Sequence, residues 1–174
     1  IKAGKAPSVV IELEQLVKRE PYNALAWSTL SHAYLDSDNS AKPLAKAIAA
    51  GEHAVSLKPR NSHFAKMLAE LYARQGEFNK ALALLDRAMS GRNIDPFCYK
   101  TRALIYSEMK RDKEALSDWE FFLKLHPGSK NSIPNMEEGA MIFARGGQTD
   151  RAIANYDTLM MRSPSAAPMW QVKK

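Results

Sequence analysis

The segment WSTLSHAY, residues 27–34, decides the fold of this chain. On a helix its tryptophan, leucine, second serine and tyrosine fall on one side, because residues three and four apart share a helical face. Weaker copies of the segment recur in units that begin near Ala24, Ser62, Pro96, Ile133 and Ala167. A repeat of this length indicates stacked copies of one supersecondary unit, none of which buries its apolar face alone.

Each unit is predicted to contain two helices. The eighth place of the first helix is always small, and holds Ser31, Ala69, Ala103 and Ala140. The eleventh place is aromatic, and holds Tyr34, Tyr72, Tyr106 and Phe143. The second helix leads with Ala47, Ala81, Ala115 and Ala152. Small residues at matching places allow two helix axes to approach to about 8–10 Å, so the pattern predicts helical hairpins.

Glycine and proline occur where such hairpins need them. Gly76 and Gly147 fall between the two helices of their units, where a left-handed residue ends the first helix. Pro59, Pro127 and Pro164 fall just past the second helix, where proline stops it. The large side chains of Trp27, Trp119 and Trp170 are predicted in the core, because their register places them on the buried face.

This pattern of W-x2-L-small-x2-Y, then A-x3-large-x2-A, then proline resembles the tetratricopeptide repeat family. The resemblance implies an all-α fold, a right-handed α-solenoid of stacked antiparallel helix pairs that form a superhelix. We expect one solenoid over residues 1–174. Its parts are the second helix of a preceding repeat at 8–21, four repeats at 24–59, 62–93, 96–127 and 133–164, and the start of a fifth at 167–174. One departure from the pattern is Gly51, where a large residue is usual.

Composition restricts the classes of protein that fit. Hydrophobic residues at 45% and charged residues at 25% are typical of a soluble globular protein. The single cysteine, Cys98, excludes an internal disulfide framework. No apolar run reaches the ~20 residues of a bilayer span, so we expect no membrane insertion. A soluble location follows, with the cytoplasm slightly favoured over the periplasm or a membrane-attached assembly.

The sequence carries no catalytic constellation. Phosphate-binding, zinc-protease and serine-hydrolase motifs are absent, and the four histidines His32, His53, His63 and His126 lack helical ligand spacing. We therefore expect no enzyme activity, no cofactor and no metal. The net charge of +6 is spread along the chain without a block of like charge, which disfavours nucleic acid as the partner.

The resemblance also implies where a partner binds. In the family, the first helices line a concave groove that takes a peptide or protein segment. Carried onto this chain, the groove places that we single out are Leu25, Ser28, His32, Leu35, His63, Lys66, Glu70, Arg74, Phe97, Lys100, Leu104, Glu108, Glu137, Met141 and Arg145.

Lys66 and Lys100 occupy the same place on neighbouring first helices. We expect them to hold a carboxylate of the partner jointly, with apolar contact from Phe97 and Leu104. The residue set by which some relatives clamp a C-terminal carboxylate is not present here.

The sequence thus favours a non-enzymatic scaffold that binds another protein or peptide in its groove. Two alternatives stay open. One is a structural or self-associating repeat region of a larger assembly, with contacts through its end repeats. The other, less favoured, is an RNA-binding helical repeat.

Overall fold

In the computed structural model, the described residues, 6–37, 41–91 and 94–162, form helices and short connections and contain no strand. The α-helices are α1 Ala6–Arg19, α2 Ala24–Ser37, α3 Ala41–Leu57, α4 Ser62–Arg74, α5 Phe78–Met89, α6 Phe97–Glu108, α7 Asp112–Leu125, α8 Ile133–Arg145 and α9 Thr149–Arg162. A 3-10 helix, Pro127–Asn131, joins α7 to α8. The all-α prediction is confirmed.

The chain divides into two compact units. The N-terminal unit runs to Cys98 and the C-terminal unit starts at Tyr99. In the N-terminal unit each helix from α1 to α5 packs on the next one in the chain, and in the C-terminal unit α8 packs on both α7 and α9. The predicted fifth repeat, together with Pro164 and Trp170, lies outside the described residues.

The small residues lie in the core, as predicted. Ala47, Ala65, Ala69, Ala81, Ala103, Ala115, Ala140 and Ala152 are all at most 3% exposed. Ser31 is as deeply buried, and its hydroxyl donates to the backbone oxygen of Ala47 at 2.7 Å, which ties α2 to α3. A serine is tolerated at this crossing because its one polar group is satisfied across the hairpin.

The departure at Gly51 has a packing reason. A Cβ built on Gly51 would lie 3.2 Å from Leu68 Cδ1 and 3.4 Å from Ser31 Oγ. The glycine on α3 therefore gives Leu68 of the next hairpin the room that a larger residue at this place would take. Leu68 is 3% exposed, so the space is filled.

The tryptophans differ in depth. Trp119 is 1% exposed and packs against Phe122, as the core prediction requires. Trp27 is only half-buried: its indole N–H donates to the Pro21 oxygen at 2.9 Å, and its ring lies 4.2 Å from the ring of His53. The core prediction therefore holds in part for Trp27, which packs against the buried cluster around Leu30 while the polar edge of its indole stays at the surface.

Three inter-helix turns share one geometry. Gly76, Lys110 and Gly147 have φ angles of 83°, 62° and 79°. In each turn the next backbone N–H reaches back to the carbonyl of the place-eleven aromatic; the pairs are Glu77 to Tyr72 at 2.8 Å, Arg111 to Tyr106 at 2.9 Å and Gln148 to Phe143 at 2.8 Å. This six-to-one bond closes a Schellman motif. The two glycine predictions are confirmed, and Lys110 takes the same conformation without being a glycine.

The place-eleven aromatics also receive a cation on their ring faces. A basic group from the second helix, or from the residue just before it, lies over each ring; the pairs are Lys46 over Tyr34 at 5.3 Å, Lys80 over Tyr72 at 5.8 Å, Arg111 over Tyr106 at 4.4 Å and Arg151 over Phe143 at 4.0 Å. Each such contact contributes about 0.5–1 kcal/mol at a partly exposed site. The aromatic thus links the two helices of its own hairpin.

Two of these tyrosines also bind the preceding hairpin. The Tyr34 hydroxyl donates to Glu14 of α1 at 2.7 Å, and the Tyr72 hydroxyl donates to Glu52 of α3 at 2.6 Å. Burial, and then the bond to the glutamate, raise the pKa of each tyrosine from 10.0 to about 12. In both cases the acid lies 20 residues before the tyrosine.

Replacing Lys110 with glycine should stabilise the protein. A left-handed non-glycine residue costs about 1–2 kcal/mol, part of which returns as the greater unfolded-chain entropy of glycine. We expect a net gain of about 0.5–1 kcal/mol in the free energy of unfolding, measured by urea titration followed by circular dichroism. The matched change Gly147→Lys should destabilise the protein by a similar amount. A Cβ at Gly147 would meet no neighbouring atom, so the cost comes only from the left-handed backbone conformation. Equal stabilities for Lys110→Gly and the parent would contradict the strain.

The tyrosine–glutamate bonds predict an alkaline loss of stability. The folded pKa is raised, so the stabilisation is complete below the unfolded value near 10 and is lost as pH rises towards about 12. The free energy of unfolding, measured by urea titration between pH 9 and pH 12, should fall less steeply with pH for the double variant Tyr34→Phe/Tyr72→Phe than for the parent. Tyr22→Phe, at a tyrosine 85% exposed, is the control. Parallel curves for parent and double variant would rule out the assignment.

Candidate groove site

In the N-terminal unit, the first helices α2 and α4 enclose a small hollow. Its volume is about 170 Å³ and its walls are Ser31, His32, Leu35, Asp36, Met67, Glu70, Leu71 and Arg74. Four of the predicted groove residues, His32, Leu35, Glu70 and Arg74, therefore meet around one cavity. They come from two repeats, and their approach depends on the stacking of α4 beside α2.

The other groove residues of this unit have separate environments. Leu25 is 65% exposed at the start of α2, and His63 is exposed with its ring 6.0 Å from that of Phe64. Ser28 is 4% exposed, and its hydroxyl lies 3.4 Å from the sulfur of Met67. A partner can reach Leu25 and His63 directly, whereas Ser28 mainly joins α2 to α4.

Lys66 is already paired within the N-terminal unit. Its ammonium lies 3.7 Å from an Asp95 carboxylate oxygen and 5.4 Å from the centre of the Phe97 ring. Lys66 thereby holds the segment that leads into α6. Asp95 also accepts from the backbone N–H of Phe97 at 2.9 Å, which starts that helix.

In the C-terminal unit, Lys100 and Arg145 connect α6 to α8 by an ion pair and hydrogen bonds. Lys100 lies 2.7 Å from a Glu138 carboxylate oxygen and donates to Asn135 Oδ1 at 2.7 Å. Arg145 donates to the Ser107 carbonyl at 2.9 Å and to the Ser107 hydroxyl at 2.7 Å. These two predicted binding residues therefore have a structural role in the unit.

The remaining groove residues of the C-terminal unit are available to different degrees. Leu104 and Met141, which share one place on α6 and α8, are half-buried. Glu108 and Glu137 are exposed. The unit thus presents two apolar side chains with carboxylates on the same two helices.

A register rule accounts for several of these contacts. The side chain at the fifth place of one first helix contacts the side chain at the sixth place of the next first helix. Ser28 contacts Met67 in this way, and Lys100 contacts Glu138. Place twelve meets place thirteen, as Ser107 meets Arg145. The sequence carries this signal once the repeats are aligned, although no single place taken alone reveals it. Asp95 is absent from the predicted set for another reason, since it lies between repeats.

These contacts bear on the expected joint carboxylate site. Each of the two lysines already faces a carboxylate of its own unit, Asp95 for Lys66 and Glu138 for Lys100. A partner carboxylate would have to displace those groups. At the groove places themselves the charges balance, because each unit supplies two cations and two carboxylates. They are Lys66, Arg74, Asp36 and Glu70 in one, and Lys100, Arg145, Glu108 and Glu137 in the other.

The described part of the chain contains neither a metal-binding cluster nor a membrane-spanning helix. Within residues 6–37, 41–91 and 94–162, no three His, Cys, Asp or Glu side chains form a group suited to a metal ion. Over the same ranges, none of the helices combines the length and apolar character that a bilayer span needs. Cys98 is fully buried, with its sulfur 3.4 Å from the Ser62 carbonyl oxygen.

Comparison with known proteins agrees with this architecture. A family model described as anaphase-promoting complex, cyclosome, subunit 3 matches residues 42–118. No protein with a curated description matches the sequence significantly. Among solved structures, a MamA protein is 18% identical with a TM-score of 0.69, and the match covers 95% of this chain and 86% of that one.

Two further solved structures match at similar levels. PilW, titled a widely conserved type IV pilus biogenesis factor, is 18% identical with a TM-score of 0.76 over 91% of this chain and 70% of its own. A thermophilic TPR protein of Thermus thermophilus, TTC0263, is 20% identical with a TM-score of 0.71 over 98% of this chain and 89% of its own. At these identities the matches establish the fold.

The fold therefore places the chain among the helical-hairpin repeat proteins. More narrowly, it has the tetratricopeptide-repeat fold, as the sequence pattern predicted, and the family match supports that family. Proteins of this fold are interaction scaffolds that bind other proteins, and they are generally non-catalytic.

A double-mutant cycle tests the structural role of Lys100. The variants Lys100→Ala, Glu138→Ala and their combination should reveal a coupling of about 1 kcal/mol in the free energy of unfolding, since both side chains are less than one-third exposed. Urea titration at low salt gives the four values. The matched pair Lys80–Glu77, at 3.5 Å and about half exposed, should couple near zero. Equal coupling in both cycles would remove the special role of Lys100.

Proposed function

We propose that the chain is a non-enzymatic scaffold whose first helices bind an extended segment of another protein. The observation that carries the proposal is the hollow between α2 and α4, where His32, Leu35, Glu70 and Arg74 converge from two repeats. A hollow of about 170 Å³ has room for a side chain of a partner rather than for a cofactor-sized ligand. Its mixed polar and apolar walls suit recognition of a polypeptide.

The groove set of the sequence analysis remains our proposed contact surface, with unequal roles. Leu35, Leu104 and Met141 supply apolar contact, and Leu25 and His63 are exposed enough to be reached from outside. Lys66, Lys100 and Arg145 act mainly by fixing the helices that carry the other residues.

The groove places carry mixed charge. Each unit contributes two carboxylates and two cations at these places, although the whole chain is at +6. A nucleic-acid backbone is bound by clustered cations, which this balanced set does not provide. The balance therefore disfavours the RNA-binding alternative.

Blocking the hollow tests the proposal. His32→Trp should fill the hollow without removing a core contact, because His32 is exposed. In affinity capture from extract of the cells that produce the protein, the affinity for the principal partner should fall about tenfold, which equals about 1.4 kcal/mol, and less of it should be captured. Asn79→Trp, on the exposed side of α5, should capture as much as the parent.

Two controls make the outcome decisive. Thermal melts of both variants should match the parent, which separates blocked binding from misfolding. Raising salt should weaken capture by screening the exposed charges at the groove places. Full capture by His32→Trp would contradict the groove assignment. A partner bound equally by both tryptophan variants would have to dock elsewhere on the chain.

A further inference from the structure

The N-terminal unit has a second, larger cleft that the groove does not include. It lies between α3 and α5 and has a volume of about 510 Å³. Val55, Leu68 and Leu84 form its floor and are each at most 8% exposed. The volume is in the range of sites that hold a bound molecule, and the floor is apolar.

The walls of the cleft are two parallel helical stripes. On α5 the stripe is Lys80, Ala83, Leu84 and Arg87, which follow the spacing of one helical face. On α3 it runs from Glu52 to Ser56, and Pro59 continues it beyond the helix end. A trough between two helices with an apolar floor is the shape that receives a third helix, by its apolar face.

One end of the cleft is closed by polar contacts. Glu52 accepts the Tyr72 hydroxyl at 2.6 Å, and Lys80 lies over the Tyr72 ring and 3.5 Å from Glu77. Glu52 is therefore bonded within the protein, whereas Lys80 stays more than half exposed and is balanced by Glu77. Desolvating them further would cost energy, so the closed end sets the direction in which an occupant lies.

The other end of the cleft is positively charged. Arg87 lies seven residues after Lys80 on α5, which is about 10 Å along the helix. None of the described residues pairs with its guanidinium, and it is exposed. Lys58 and Arg60, on either side of the lining residue Pro59, are exposed as well. This end offers cations to an incoming carboxylate.

We propose that this cleft is a second docking site, which takes an amphipathic helix of another protein with acidic residues at one end. Two turns of the helix lay their apolar stripe on Val55, Leu68 and Leu84, and a carboxylate meets Arg87. The site differs from the groove in the helices that form it, and one end of it carries cations whereas the groove places carry both charges in equal number, so the two sites select different segments.

The test uses the full 174-residue chain and a designed probe. The probe is a fluorescein-labelled helical peptide of about 18 residues with one leucine stripe and glutamates at one end. A twin peptide carries lysines in place of the glutamates. Fluorescence anisotropy should show that the acidic peptide binds at least about tenfold more tightly than its twin, from attraction in place of repulsion.

Variants locate the binding. Arg87→Glu should weaken the acidic peptide about tenfold, and Lys124→Glu, with the same charge change at an exposed site on α7, should leave it unchanged. Ala83→Trp should fill the cleft and abolish binding, while Ala154→Trp on α9 serves as its control. Arg87→Gln gives a milder version if Arg87→Glu alters the thermal melt.

Three outcomes overturn the proposal. One is equal affinity for both peptides, and another is undiminished binding to Ala83→Trp. The third is a concentration-dependent dimer in sedimentation that Ala83→Trp dissociates, since a second copy would then be the occupant. The groove variant His32→Trp should bind the acidic peptide normally, so failure of the cleft and failure of the groove are distinguishable.

Discussion

The close crossing of the two helices in each hairpin is the constraint on which the rest of the structure depends. Alanine or serine at the crossing is nearly or fully buried in every described repeat, and a larger side chain would push the axes apart. Ser31 shows how narrow the tolerance is, because it is accepted only with its hydroxyl bonded to Ala47. Gly51 extends the same requirement to the next hairpin, where Leu68 takes the space.

The aromatic residues follow from that crossing. Where the axes are close, large side chains are displaced towards the ends of the helices, and the place-eleven aromatic comes to lie beside the inter-helix turn. There Tyr72 packs under a lysine, bonds to Glu52 of the preceding hairpin and supplies the carbonyl that closes the turn. One residue thus connects the turn, its own hairpin and the neighbouring one, which explains its regular recurrence.

Most of the fold was predictable because it repeats. A periodic pattern reports the same physical requirement four times, so small residues at the crossing and glycines at the turns could be read with little ambiguity. The positive φ of Lys110 could not, since nothing in a lysine signals a left-handed conformation, and only alignment with Gly76 and Gly147 reveals it. The half-buried state of Trp27 depends on the particular neighbours Pro21 and His53.

The candidate site was predictable only in part, for a different reason. Alignment to repeat places says which residues share a face, but it does not say which of them are already bonded to one another. Lys66 is engaged by Asp95, which lies between repeats, and Lys100 by Glu138 of the next first helix. His32 and Arg74, by contrast, meet at a cavity as their places imply.

A scaffold made of stacked hairpins must use part of each face to hold itself together, and this sets where partners can bind. On the first helices, Lys66, Lys100 and Arg145 are engaged by contacts inside their own units, whereas Arg74 lines the hollow. On the second helices of the N-terminal unit, Glu52 accepts a hydrogen bond from Tyr72, while Arg87 at the other end of the cleft is exposed. Internal bonding therefore leaves a hollow of mixed charge on one face of the unit and an exposed cation beside an apolar cleft on another, which is the physical basis for assigning them to different partner segments.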